Sequence, residues 1–264
     1  MAQPVAHAYG KDAVGVYRVA GDRLFACEVR LIARGEAFEA SYTEGDNALV
    51  VATDSMKNFV QRVAVAYRDE GLEDFLVLIG ERFLERYPHV QALELRAEES
   101  VFARRVGAVL QRLYDDRAVV EMTLLDDGTR HERSGRQGLH LVKLRGSSFA
   151  GFVRDEYTTL PEAHDRPLFV HLDVSWHNAD YARRAVGEDV RAVVIEAFSD
   201  FESASIQHLV NEMGMRALGR LPEIDNIAFR AENRLWDTAQ EADGVTVYTD
   251  ARPPFGVIEL SLDR

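Results

Sequence analysis

A single cysteine, Cys27, stands in a chain of 264 residues. That excludes an internal disulfide and any multi-cysteine metal site, and it points to a reducing compartment. No apolar run approaches the roughly 20 residues of a membrane span, and the opening MAQPVAHAYG lacks the charged-then-apolar order of a signal peptide. The eight histidines form no H-x-H or H-E-x-x-H pair, so a metal site is not expected. Positive charge is scarce as well: 31 Lys and Arg face 44 Asp and Glu, a net charge of −13 that argues against a nucleic-acid partner. An anionic small molecule would be repelled unless local cations such as Lys11 and Arg166 reverse the field. No low-complexity segment is present.

What remains is an ordinary globular composition, 47% hydrophobic, with length for one large or two small domains. An internal repeat organises it. ERYPHVQALELRAEESVF aligns with GRLPEIDNIAFRAENRLW, so that Arg86 meets Arg220, Pro88 meets Pro222, Leu95 meets Phe229, and Arg96-Ala97-Glu98 meets Arg230-Ala231-Glu232; Gly80 falls on Gly214 at the same offset. Alternating runs such as AVGVYRV and LFACEVRLI predict strands. Apolar stripes at Phe59, Val60, Val63 and Tyr67, and at Leu72, Phe75, Leu76, Ile79, Phe83 and Leu84, predict two helices in the first copy. Val186, Val190, Val193, Val194 and Phe198, then Ile206, Leu209, Val210 and Met213, mark their counterparts. The expectation is an α+β fold of two strand-strand-helix-helix-strand units, residues 1–130 and 131–264, with the helices on one face of antiparallel sheet. The charged, glycine-containing stretch from Asp126 to Gly138 reads as a solvated hairpin connection between them.

The segment Ser147–Arg166, SSFAGFVRDEYTTLPEAHDR, is denser in polar residues than a strand-to-loop connection needs. Phe149 offers an aromatic face and Arg166 a planar fork of donors, which suits a flat, nitrogen-rich, anionic ligand. Each residue also has a plainer reading. Phe149 can be core, Arg166 can pair on the surface with Asp165 or Glu162, and Gln207 can be an exposed residue at a helix start. Thr53 and Asp54, at a strand-to-helix junction, can cap the helix, a role compatible with chemistry.

The order Ser147, Phe149, Gly151, Phe152, Arg154, Asp155, Tyr157, Thr158, Thr159, Leu160, then Asp165 and Arg166, closely resembles the signature of the uricase (urate oxidase) family. YGKDAV, VVATDSMKN, SASIQHLV and the closing RPPFGVIELSL extend the resemblance from about residue 9 to about residue 262. It implies tandem tunnelling-fold (T-fold) repeats whose free sheet face closes with other subunits into a barrel, and hence a homotetramer with sites between subunits. It further implies Lys11 and Thr53 as catalytic residues moving protons, and Asp54 beside them as a substrate-binding residue. Arg166 and Gln207 would clamp urate, Phe149 would stack on it, the Ile206 backbone N–H would bind a carbonyl, and Asn233 would hold O2. No cofactor is implied. One departure stands out: where the family has an L-P-N-K-H run this chain has AENRLWD, with Leu235 at the place of the histidine. His208 and His164 are candidate substitutes. That departure keeps two alternatives open, a non-oxidising purine- or pterin-binding T-fold protein and a metal-dependent pterin enzyme. Because the chain ends Leu262, Asp263, Arg264 rather than in a peroxisomal tripeptide, a bacterial cytoplasmic location is expected.

Overall fold

The computed structural model describes residues 7–264. Strands β1 (Ala8–Ala20) and β2 (Arg23–Arg34) are followed by a short helix α1 (Glu39–Thr43) and two long ones, α2 (Thr53–Ala66) and α3 (Leu72–Arg86). Then come β3 (Ala92–Glu99), the small hairpin β4 (Phe102–Arg104) and β5 (Leu110–Arg112), and β6 (Arg117–Leu125). The four long strands pair antiparallel in the order β1-β2-β3-β6. Their period-2 alternation puts Val29, Leu31, Leu95 and Met122 on one face, where α2 packs on β1 and α3 on β3 and β6. Val60, Phe75, Ile79 and Phe83 of the helices are wholly buried there. The opposite face is charged, with Arg34 bonded to Glu94 at 2.6 Å and Arg96 to Glu98 at 2.9 Å.

The second half continues with β7 (Arg130–Lys143), β8 (Leu168–Asn178), α4 (Gly187–Asp200), α5 (Ile206–Arg220) and β9 (Ile224–Asn233). A hairpin of β10 (Asp237–Ala242) and β11 (Val245–Thr249) precedes β12 (Gly256–Asp263). The long strands follow the order β7-β8-β9-β12. Leu168, Val170, Leu172, Val174 and Trp176, every second residue of β8, are buried beneath the helices. Helix α5 is capped by Ser205, whose hydroxyl accepts the His208 N–H at 3.0 Å. The α+β class is thus observed. The repeat is equally plain: Thr53 and Leu72, which open α2 and α3, correspond to Gly187 and Ile206, which open α4 and α5, a constant offset of 134 residues. The paired glycines lie where helix meets sheet. A Cβ on Gly80 would come 3.0 Å from the Leu124 side chain, and one on Gly214 would come 2.5 Å from that of Leu262.

One expectation fails. The chain divides into two compact units between Ser134 and Gly135, but no solvated connection runs from Asp126 to Gly138. Only residues 126–129 turn, with Gly128 at φ 86°, and the rest belongs to β7, which passes through the division. Glu132, Ser134 and Arg136 are buried in it. Buried charge is uncommon, so the stretch read as surface; the structure accommodates it by pairing. Ser134 donates to Glu73 at 2.7 Å, Arg136 donates to Glu188 at 2.8 Å, and Glu132 lies 3.7 Å from Arg130.

Candidate functional site

The first group of candidate residues forms where β1 meets the start of α2. A Cβ on Gly10 would lie 1.9 Å from the Leu31 carbonyl oxygen and 2.7 Å from the Ile32 Cα, so only glycine lets the two strands approach this closely. Lys11 follows, opposite Leu31, and the register slips immediately after it, between Lys11 and Val14. Ala13 occupies the left-handed region there, at φ 55°. Such bulges re-aim side chains, and this one fixes Lys11, half-buried, at the edge of the slip. The hydroxyl of Tyr9 accepts the Val51 N–H at 2.7 Å, tying β1 to the residues just ahead of Thr53. Burial raises the pKa of that phenol.

Thr53 is the first residue of α2. The capping position falls on Ala52, without a side-chain bond, so neither Thr53 nor Asp54 caps the helix. Asp54 instead accepts from Lys57 Nζ at 2.6 Å and Asn58 Nδ2 at 3.0 Å. Those contacts, Lys57 foremost, hold its carboxyl below the usual range; the charge of Lys11 acts in the same direction more weakly, so Lys11 is felt at this helix start. Tyr9, Lys57 and Asn58 were not singled out from the sequence, although the i+3 and i+4 spacing of the last two from Asp54 was visible there.

The second group lies in the second unit. The backbone of Phe149 pairs with Ala163 in both directions, at 2.7 and 3.0 Å, while the Arg166 N–H donates to the Ser147 carbonyl at 3.0 Å. A parallel bridge joins Ser147 to Ser203, just ahead of Ile206 and Gln207. Asn233 stands opposite Val170, four residues beyond Arg166. Four separate stretches of sequence therefore converge. Within them the Arg166 guanidinium lies 5.9 Å from the centre of the Phe149 ring, and Phe152 stacks on Phe149 at 4.9 Å and 11°. Ile206 is buried as the first residue of α5, where its backbone N–H has no partner within the helix, and Gln207 beside it is exposed.

The surface-pairing reading of Arg166 does not hold. Asp165 accepts from the Gly146 N–H at 2.6 Å and Glu162 from the Gly151 N–H at 3.0 Å, leaving Arg166 without an acidic partner among the described residues. Burial alone lowers its pKa. Its Nε and the Asn233 Oδ1 are both buried without a hydrogen-bond partner. An orphaned buried polar atom costs about 1–3 kcal/mol, and such atoms invite a ligand. Leu235, at the place of the family histidine, packs against the apolar core of the second unit. His208 is engaged structurally, its Nδ1 accepting the Ala204 N–H at 3.4 Å and its ring edge-on to Phe201. Among the described residues no group of three or more His, Cys, Asp or Glu side chains is placed to hold a metal ion.

A family model described as uricase matches residues 7–109 and 132–259. The chain is 37% identical over 301 residues to the uricase of Haloferax volcanii, with 97% of each chain covered. It is 39% identical over 255 residues to the uric acid degradation bifunctional protein PucL of Bacillus subtilis, covering 87% of this chain and 52% of that one. The chain thus spans about half the length of the Bacillus bifunctional proteins it matches. Among solved structures, a hyperthermostable mutant of the Bacillus sp. TB-90 urate oxidase superposes with a TM-score of 0.90 at 33% identity, covering 98% of this chain and 99% of that one.

Proposed function

Because this chain belongs to the uricase family, we propose that it oxidises urate with molecular oxygen, the two substrates being taken without a cofactor. Urate, O2 and water give 5-hydroxyisourate and hydrogen peroxide: two electrons pass from urate to O2, and water supplies the added oxygen, so atoms and charge balance. The observation that carries this reading is the half-buried, acid-free guanidinium of Arg166 beside the Phe149 ring, which suits a planar anion gripped at its edge and stacked on its face.

In this reading Arg166 and the Gln207 amide clamp the urate anion. Phe149, one face already covered by Phe152, stacks on the ring with the other, and the Ile206 N–H at the helix start donates to a urate carbonyl. Asn233, its Oδ1 lacking a protein partner, holds O2 and later the attacking water. Lys11 and Thr53 exchange protons with substrate and water, Lys11 accepting from the hydroxyl. Asp54, tied to Lys57 and Asn58, keeps negative charge at the start of α2 and favours the protonated ammonium that Lys11 becomes. An electron-rich anion reduces O2 directly, so the protein's part is to position, desolvate and deprotonate. By resemblance to the family, the Lys11–Thr53 group of one chain meets the Arg166 group of a neighbour in a homotetramer.

The test is aerobic incubation of the metal-stripped protein with urate, following the urate absorption band, oxygen uptake and peroxide together. Equimolar loss of urate and O2 with peroxide formed is expected. Urate binding without oxygen uptake would make the chain a purine-binding protein and refute the oxidase reading.

A further inference from the structure

One turn along α2 from Asp54, whose partner Asn58 also lines it, the seam between α2 and α3 opens into a groove of about 660 Å3 lined by Asn58, Arg62, Arg82, Glu85, Arg86 and Tyr87 among others. The internal repeat supplies its own comparison. In the second unit the counterparts of Arg82 and Arg86 are Arg216 and Arg220, and both are neutralised. Arg216 bonds Asp200 and Glu212, each at 2.7 Å, and Arg220 grips both oxygens of Glu196 at 2.6 and 2.7 Å. At the constant offset of 134, those three carboxylates correspond to Ala66, Leu78 and Arg62. The first unit keeps both arginines, loses all three acids and gains a third guanidinium.

Among the described residues no carboxylate pairs with Arg62, Arg82 or Arg86. Arg86 lies 5.8 Å from the Tyr87 ring centre, and Glu85 lines the groove without an ion pair. Like charges on adjacent helices repel, and a chain with 44 acidic residues has no shortage of partners for them. The second unit shows how readily this scaffold supplies those partners.

We propose that this groove binds a small multivalent oxyanion of the phosphate or polyphosphate class. The guanidinium fork matches the oxygens of a phosphate two at a time, and the groove has the volume of a small-molecule site. Bound there, the anion takes the place that Glu196, Asp200 and Glu212 hold in the second unit.

Calorimetric titration of the full chain at low salt, with inorganic tripolyphosphate and separately with orthophosphate, tests this. One saturable site per chain is expected, weakened at least about tenfold by Arg62→Glu, which restores the acid of the second repeat opposite Arg86. Arg62→Ala should weaken it as well, and urate oxidation should be unchanged in both. Tripolyphosphate binding tighter than orthophosphate identifies a polyphosphate as the occupant; equal affinities per site identify a single phosphate. Reversing the distant Arg105, with the same change of net charge, should leave binding within about twofold. The proposal is overturned if millimolar tripolyphosphate does not bind, if Arg105→Glu weakens binding as much as Arg62→Glu, or if only Arg166→Ala abolishes it.

Discussion

Replacing Arg166 with alanine should separate affinity from stability. A two-pronged grip on an anion comprises two charge-assisted hydrogen bonds of about 1.5–3 kcal/mol each, so truncation removes about 3–6 kcal/mol of transition-state binding. At about 1.4 kcal/mol per tenfold, kcat/KM for urate should fall by about a hundredfold to ten-thousandfold. Stability should respond quite differently. The guanidinium is half-buried with no acidic partner, and its Nε lacks any partner, so the folded protein carries an uncompensated desolvation cost that alanine removes. Set against the lost contact with Phe149, the change in unfolding free energy should stay within about 1 kcal/mol of zero. Arg166→Lys, which keeps the charge but not the fork, should fall between the two in activity. Steady-state kinetics and urea unfolding of the three proteins decide the matter. A kcat/KM within about fivefold of wild type, or a loss of stability above about 2 kcal/mol, would falsify the role assigned to Arg166.

Gly10→Ala should lower stability by more than about 2 kcal/mol, because a Cβ 1.9 Å from a backbone oxygen cannot be relieved by a rotamer change, and turnover should fall as Lys11 shifts. A wild-type melting curve for this variant would contradict the close strand approach. Gly214→Ala should cost about 1 kcal/mol, the helix-propensity gain being outweighed by the clash with Leu262. Shortening that side chain by Leu262→Ala in the same molecule should recover much of the loss, and additive costs in a double-mutant cycle would show that the two do not touch. Burial pushes the Cys27 thiol up from 9.0 to about 12, so the folded state holds this proton more tightly than the unfolded chain does. The resulting stability is complete below about pH 9 and declines from there toward pH 12, by at most about 1.4 kcal/mol per pH unit. Denaturant midpoints at pH 8 and pH 10 should therefore converge in Cys27→Ala, apart from a remainder owed to Tyr9 and Tyr67, whose pKa values burial also raises; an unchanged slope would exclude the thiol.

Most of the long strands and the four long helices were legible because one face of each is buried in a regular period, whereas β6, a fourth long strand beyond the three expected of the first unit, was not read. Every second residue of β8 is core, and the stripe from Leu72 to Phe83 is the inner face of α3. The hairpin of β10 and β11 went unread since no residue of β10 is buried, although the Asp243–Gly244 pair at its tip, both at positive φ, is a turn signal on its face. The first part of β7 was hidden for the opposite reason: its buried residues Glu132, Ser134 and Arg136 are polar, and the partners Glu73 and Glu188 lie some 50 to 60 positions away in sequence. The candidate site was legible chiefly through family resemblance. That Asp165 and Glu162 turn away from Arg166 depends on the backbone N–H groups of Gly146 and Gly151, which no side-chain pattern announces.

The passage of β7 through the division has a consequence for any attempt to cut or rewire the chain. Fragments split between Ser134 and Gly135 would each inherit part of one strand, the first keeping the tie to Glu73 and the second the tie to Glu188. The internal repeat therefore does not make residue 134 a clean place to cut. New chain ends are better accommodated at the exposed turns at Gly107 or at Asp243–Gly244, where φ is positive and no strand is severed, so a chain nicked at either place should keep its fold where one nicked within β7 should not.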